Sequence, residues 1–205
     1  MLSVDIQKNL QAFLLDVHFS VNSEIAVLFG PSGAGKTTIL NCIAGLSMPN
    51  AGQITLNQRA FYPENKKPVP AAKRHIGYVF QDYALFPHMT VKKNIRYGLK
   101  DDQLMCRLTD MMGINHLLDK YPSQISGGEK QRVALSRAFV TQPDALLLDE
   151  PFSSLDRQTK LECQNELLEL HKLWRIPVLL VTHDEQEASM LGDRILKLDK
   201  GKIII

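Results

Sequence analysis

Four short apolar runs punctuate the chain: "EIAVLFG" (24–30), "HIGYVFQ" (75–81), "DALLLDE" (144–150) and "PVLLVTH" (177–183). Each is continuous rather than alternating, the pattern of a strand buried on both faces of a parallel sheet. Helical periodicity lies between them. "KTTILNCIAGL" puts Ile39, Leu40 and Ile43 on one face, and Gly45 stands where a helix would stop. "TKLECQNELLELHKLW" (159–174) predicts a longer amphipathic helix. Strands that alternate with helices predict an α/β fold on a parallel sheet.

Two regions depart from that alternation. Residues 2–28 and 52–62 have alternating character and predict a small antiparallel side sheet. Residues 82–140 carry few strand signals and predict a helical insert. "YPENKKPVPAAKR" (62–74) reads as a polar, proline-rich surface loop. The organisation expected is one domain over 1–205. Its core spans 1–80 and 141–205, with the antiparallel β subdomain included, and its helical subdomain spans 82–140.

Composition narrows the function classes. With 205 residues, 44% hydrophobic and 22% charged, the chain can bury a core and disorder is not expected. Its 24 basic and 22 acidic residues give a net charge of +2, without the basic footprint of a nucleic-acid binder. The apolar runs are far too short to span a bilayer, and "MLSVDIQKNL" lacks the apolar core of a signal peptide. Any membrane role is therefore expected to come through a partner. Cys42, Cys106 and Cys163 have no metal-ligand spacing, and so sparse a set suits a reduced, cytosolic compartment.

All four predicted strands end in chemistry. In open parallel sheets, ligands bind at the carboxyl ends of the strands, so neighbouring strands would aim these features into one crevice. The first strand runs into "GPSGAGKTT", which matches G-x-x-x-x-G-K-[ST] between a strand and a helix. Glycines let such a loop wrap closely, with backbone N–H groups turned toward phosphate oxygens. The helix N-terminus adds partial positive charge. The phosphate-binding candidates are Gly30, Pro31, Ser32, Gly33, Ala34, Gly35, Lys36, Thr37 and Thr38. Lys36 would reach the β- and γ-phosphates, and Thr37 would hold Mg²⁺.

The third strand ends in Asp149 and Glu150. An acid at a buried strand end beside a phosphate loop can support Mg²⁺, and the next acid can polarise an attacking water. A solvated charge pair closing a strand would look the same. His183 follows the fourth strand, either as a contact to the γ-phosphate or as a plain strand-end histidine. Gln81 after the second strand has the features of an ordinary loop residue. Farther along, Ser126 is a reasonable N-cap for "EKQRVALSRAF", and Gly127 and Gly128 would open the first turn to an anion. An ordinary cap with a flexible entry reads identically. Together these residues argue for a Mg²⁺-dependent NTPase without saying what hydrolysis drives.

The ordered set resembles the nucleotide-binding subunit of ATP-binding-cassette (ABC) transporters over essentially the whole chain. "GPSGAGKTT" resembles the Walker A loop, "VFQD" the Q-loop, and "ISGGEKQR" the signature. "LLLDEP" resembles Walker B, "SSLD" the D-loop, and "VTHD" the switch. The signature differs from many members in Ile125 and Glu129, where leucine and glutamine are common. The resemblance implies a P-loop NTPase (RecA-like) core with a small antiparallel β subdomain and a helical subdomain. It also implies a head-to-tail dimer that sandwiches ATP between the Walker A loop of one chain and Ser126, Gly127 and Gly128 of the other.

In that arrangement Glu150 resembles the catalytic base, and His183 the residue that orients the attacked phosphate. Asp149 resembles the Mg²⁺-supporting acid, and Asp156 an interface sensor. Gln81 resembles the catalytic link to the helical insert and a further magnesium contact. Phe13 is the candidate for stacking on adenine, although a half-buried strand aromatic gives the same signal. "DYALFPHMTV" (82–91), notably Tyr83, Leu85 and Phe86, is the apolar surface expected to dock on a transmembrane permease at the cytoplasmic face, although internal packing of the insert gives the same signal. A solute-binding protein would be an indirect partner, and nucleic acid none.

"GYVFQDYALFPHMTVKKNIRYGL" looks most like importers of molybdate, sulfate and related oxyanions, wording that polyamine and ferric-iron importers share. Many importer subunits continue past a segment like "DRILKLDKGKIII" into a regulatory domain, which these 205 residues do not contain. The rival class is a non-transport ABC ATPase, but no long coiled coil and no second cassette is visible. A P-loop kinase would need an acceptor site and would leave the signature run unexplained.

Overall fold

The computed structural model describes residues 1–63, 67–98 and 101–204. Its regular elements are β1 (Leu2–Asn9), β2 (Leu14–Val21), β3 (Ile25–Phe29), α1 (Lys36–Ala44), β4 (Ala51–Leu56) and β5 (Arg59–Ala60). Then come β6 (Ile76–Val79), α2 (Val91–Arg96), α3 (Asp102–Met111), α4 (Gly127–Phe139) and β7 (Ala145–Asp149). The chain ends in α5 (Arg157–Trp174), β8 (Val178–Thr182), α6 (Glu185–Leu191), β9 (Arg194–Asp199) and β10 (Lys202–Ile204). They form two units: Met1–Ile76 with Asp144–Asp149 and Arg175–Ile205, and Gly77–Pro143 with Glu150–Trp174.

The first unit holds two sheets. The smaller is antiparallel, in the order β2-β1-β4-β5, and buries alternate residues such as Val4, Ile6, Leu15 and Val17. The larger runs β10-β9-β3-β8-β7, with β9, β3, β8 and β7 parallel and β10 antiparallel at the edge. Every residue of β7 and β8 is buried, as their unbroken apolar runs predict. Helices α1 and α6 pack on this sheet. The side sheet is narrower than the alternation suggests. Ile25–Phe29 joins the parallel sheet, because Ile25, Ala26, Val27 and Leu28 are all buried and pair with β8 and β9.

Gly45 ends α1 as expected: it takes φ 82°, the left-handed conformation that closes a helix at low cost in glycine. A side chain there is also sterically blocked, since a Cβ would lie 2.6 Å from Nε of Arg74. Arg74 corrects the reading of 62–74 as surface loop. Residues 64–66 of that stretch lie outside the described residues, but Arg74 is fully buried. Its guanidinium donates to the carbonyls of Cys42 and Ile43, both at 2.8 Å, and of Val69 at 2.9 Å. It also lies 4.8 Å from the Phe61 ring centroid and 4.7 Å from that of Tyr62. One buried cation thus satisfies two carbonyls from the last turn of α1.

In the second unit α2, α3 and α5 pack around α4. Arg132 on α4 reaches Glu166 at 2.9 Å and Glu162 at 3.2 Å on α5. Buried Asn94 accepts from the N–H of Phe86 and donates to the carbonyls of Phe86, Met89 and Thr90, which fixes the 86–90 turn. Tyr83 corrects the expectation of a docking side chain. It is buried, with its hydroxyl 2.8 Å from that of Ser154 and its carbonyl held by Arg137. Leu85 and Phe86 are half-buried, and the Phe86 ring packs at a tilt of 49° against exposed Tyr97, centroids 4.8 Å apart.

Arg74→Ala leaves two buried carbonyls and one part-buried carbonyl without this donor. Its stability should fall by about 3 kcal/mol, read as a lower urea midpoint at an unchanged m-value.

Candidate nucleotide site

The parallel register sets the geometry. Phe29 pairs with Thr182, and Asp149 with Val181, so β3, β8 and β7 end along one edge. The glycine-rich loop leaves β3 at that edge. Gly30 is required by crowding, because a Cβ there would meet the Leu198 carbonyl oxygen at 2.1 Å. Gly33 takes φ 80°, and no atom lies within 4 Å of a Cβ built on it, so its outer side is open for a ligand. Pro31, Ser32 and Gly33 are exposed, whereas Ala34, Gly35 and Lys36 are buried.

Gly35, at φ 104°, is the N-cap of α1 and supplies no side-chain cap bond, and the first turn of α1 has no acidic residue. With no acidic residue of its own in that turn, the helix end leaves its positive pole suited to an anion. The Lys36 ammonium donates to the carbonyls of Gly30 at 2.7 Å and Pro31 at 2.9 Å, and so lies within the loop. Thr38 is half-buried on the first turn of α1.

Thr37 and Asp149 meet, the Thr37 hydroxyl donating to Asp149 Oδ1 at 3.2 Å. Asp149 is 5% exposed. A hydroxyl and a carboxylate side by side are hard oxygen donors of the kind Mg²⁺ prefers, alongside phosphate oxygens. No cluster of three His, Cys, Asp or Glu residues among the described residues would hold a metal unaided. The Thr37–Asp149 pair is a donor set that fits a magnesium ion beside phosphate.

Two further candidates sit in the first unit. His183 is exposed, one residue beyond β8. Phe13 lies in the turn between β1 and β2 rather than in a strand, and is half-buried. Its ring comes within 2.6 Å of a Cβ built on Gly201 and 3.8 Å of one on Gly35, so it borders the glycine-rich loop.

Glu150, Gln81 and the serine–glycine run belong to the second unit. Glu150 follows Asp149 directly and takes φ 45°, uncommon for a residue with a side chain. The turn is held by the N–H and hydroxyl of Ser153, both donated to the Glu150 carbonyl. Gln81 is exposed, two residues after β6.

Ser126 caps α4 as its sequence predicts. Its hydroxyl accepts from the N–H of Glu129, while Glu129 accepts from the N–H of Ser126 at 2.7 Å, a reciprocal capping box. Gly128 is packed so tightly that a Cβ would sit 2.3 Å from the Thr159 methyl, and Gly127 lies against Leu155. Asp156 caps the start of α5 through the N–H groups of Gln158 and Thr159, and the Thr159 hydrogen bonds hold its carboxyl below the usual range. Within this unit the serine–glycine run and the 154–159 segment therefore lie side by side. Sequence reasoning missed the Tyr83–Ser154 bond, which anchors that segment. Nothing in the local wording distinguishes a buried tyrosine from a surface one.

Residues 14–153 match the sequence profile of a family described as "ABC transporter". The chain is 44% identical over 207 residues to the molybdenum import ATP-binding protein ModC of Pasteurella multocida, covering 99% of this chain and 59% of that one. It is 44% identical over 209 residues to the molybdate/tungstate import ATP-binding protein WtpC of Archaeoglobus fulgidus, covering 99% of this chain and 85% of that one. It spans about three fifths of the length of the ModC relatives it matches. Among solved structures it resembles the dimeric bacterial ABC transporter cassette MJ0796, with TM-score 0.84 and 26% identity over all of this chain and 97% of that one. A post-hydrolysis dimer of that cassette bound to ADP and Pi matches with TM-score 0.83, also at 26% identity over 100% of this chain and 97% of that one.

The backbone N–H of Ser126 holds the Glu129 carboxyl below the usual glutamate range. The cap's contribution is thus full above the ordinary glutamate pKa and fades as pH falls through the lowered value. Glu129→Ala should cost about 1 kcal/mol at neutral pH, whereas Glu129→Gln should keep the cap and lose its acid sensitivity. Thermal melts from neutral to acid pH read both.

Proposed function

The chain belongs to the ABC transporter family, and on that premise we propose that it is the ATP-hydrolysing subunit of an importer for molybdate or a similar tetrahedral oxyanion. The observation that carries the enzymatic part is the open glycine-rich loop with the Thr37–Asp149 pair beside it at the carboxyl ends of β3 and β7. The 44% identity to molybdenum and molybdate/tungstate import proteins supports the cargo.

In this reading the loop from Gly30 to Thr38 binds the ATP phosphates, and Phe13 stacks on the adenine. Thr37, Asp149 and Gln81 hold Mg²⁺, which when bound neutralises phosphate charge. Glu150 accepts the proton of the attacking water, and His183 hydrogen-bonds the attacked phosphate. Two copies pair head to tail, and Ser126, Gly127 and Gly128 of one complete the site of the other, with Asp156 at the interface. The α4 N-terminus suits that task, since its positive end would face the γ-phosphate. In the same reading a core over 1–80 and 141–205 carries the nucleotide chemistry, and a helical subdomain over 82–140 carries coupling to the permease. The subunit would sit at the cytoplasmic face of the membrane through that permease, since no described helix is long and apolar enough to cross it.

Glu150→Gln should bind ATP normally while its turnover falls at least about a hundredfold. Wild-type turnover in that variant would remove Glu150 from the mechanism. Cells carrying Glu150→Gln should lose uptake of labelled molybdate. Unchanged molybdate uptake with loss of another solute would reassign the cargo.

A further inference from the structure

Glu187 is a carboxylate buried to 4% exposure in α6, outside every motif of the proposed site. Burying a carboxylate is expensive unless hydrogen bonds hold it, so its position calls for a reason. Its Oε2 accepts from the Thr182 hydroxyl at 3.1 Å. The same hydroxyl accepts from the N–H of Asp184 at 3.0 Å. Asp184 in turn caps α6, its Oδ1 accepting from the N–H groups of Gln186 at 2.9 Å and Glu187 at 3.1 Å.

These bonds form a closed ring: Thr182 hydroxyl, Asp184 N–H, Asp184 carboxylate, Glu187 N–H, Glu187 carboxylate, and back to the Thr182 hydroxyl. The residue the ring spans is His183. The backbone on both sides of it is fixed through one hydroxyl, and that hydroxyl is oriented by the Glu187 carboxylate. Because Thr182 must donate to Glu187, its lone pair is left toward the Asp184 N–H. Thr182 is itself 2% exposed at the end of a fully buried strand, so the ring has a rigid base. His183 projects from that base and is exposed.

We propose that Glu187 is a positioning residue for His183 in ATP hydrolysis, acting through the Thr182 hydroxyl and the Asp184 N–H. The inference rests on the reading of His183 as the phosphate-orienting residue. Glu187 touches no substrate in it. Its work is to hold the strand-to-helix turn in one conformation, so that the imidazole needs no reordering in each turnover.

The test is steady-state hydrolysis of MgATP by the full chain carrying Glu187→Ala, Glu187→Gln or Thr182→Val. Misplacing a catalytic group by about 1 Å costs on the order of a hundredfold in rate, so Glu187→Ala should lower kcat by about that factor. KM for ATP should stay within about twofold, because the phosphate loop is untouched. Glu187→Gln keeps an acceptor oxygen for Thr182 and should restore kcat to within about threefold of wild type. Thr182→Val should match Glu187→Ala, and the double variant should lose nothing further, as expected of two members of one unit. If Glu187→Ala does not fold, Thr182→Val and Glu187→Gln carry the test. Wild-type kcat in a folded Glu187→Ala or Thr182→Val, or a Glu187→Gln as slow as Glu187→Ala, overturns the proposal. His183→Ala separates the two levels: if it retains turnover, the reading of His183 fails. If it is inactive while Glu187→Ala is normal, only the positioning role fails.

Discussion

The parallel pairing of β3, β8 and β7 is the constraint on which the rest of the site depends. Parallel strands share a direction, so their carboxyl ends share an edge, where β3 delivers the glycine-rich loop, β8 Thr182 and β7 Asp149. Pairing of Phe29 with Thr182 and of Asp149 with Val181 fixes how far each end projects. A slip of one residue would turn Asp149 to the other face of the sheet and away from Thr37. Every position of β7 and β8 is buried, so a slip would also force the close-packed side chains around them to repack.

The two glycine-containing segments solve different physical problems. In the glycine-rich loop, Gly33 and Gly35 adopt positive φ, and Gly30 makes room for the Leu198 carbonyl. In the serine–glycine run the backbone is helical, and Gly128 is needed because Thr159 fills the space a side chain would take. The first shapes a cradle. The second presents a helix end while packing against the segment that starts α5. A cap that ties Ser126 to Glu129 keeps that end ordered.

Much of this was legible in the wording of the chain. Apolar runs announce the buried strands, Gly45 the end of α1, and Ser126 the cap of α4. What stayed hidden are residues whose role depends on burial. Arg74 sits in a stretch of lysines and prolines that looks solvated, yet it caps α1 from inside the core. Tyr83 lies among apolar residues that look like a docking face, yet its hydroxyl reaches Ser154, far along the chain. Glu187 is one acid in a run of charged residues, and only the fold of the β8–α6 turn brings it back to Thr182. Local pattern identifies elements and loops well, but it carries no signal for a polar side chain that turns inward to meet a distant partner.

In the proposed head-to-tail pair, each ATP would be hydrolysed between two copies of the chain. Mixing two inactive variants tests it most directly. In a mixed pair of Lys36→Ala and Ser126→Arg, one composite site carries both defects and the other carries none. Each variant alone should show almost no ATP turnover, and the mixture should regain it in proportion to the mixed pairs formed. A mixture as inactive as its parents, with mixed pairs present in solution, would contradict a site shared between copies.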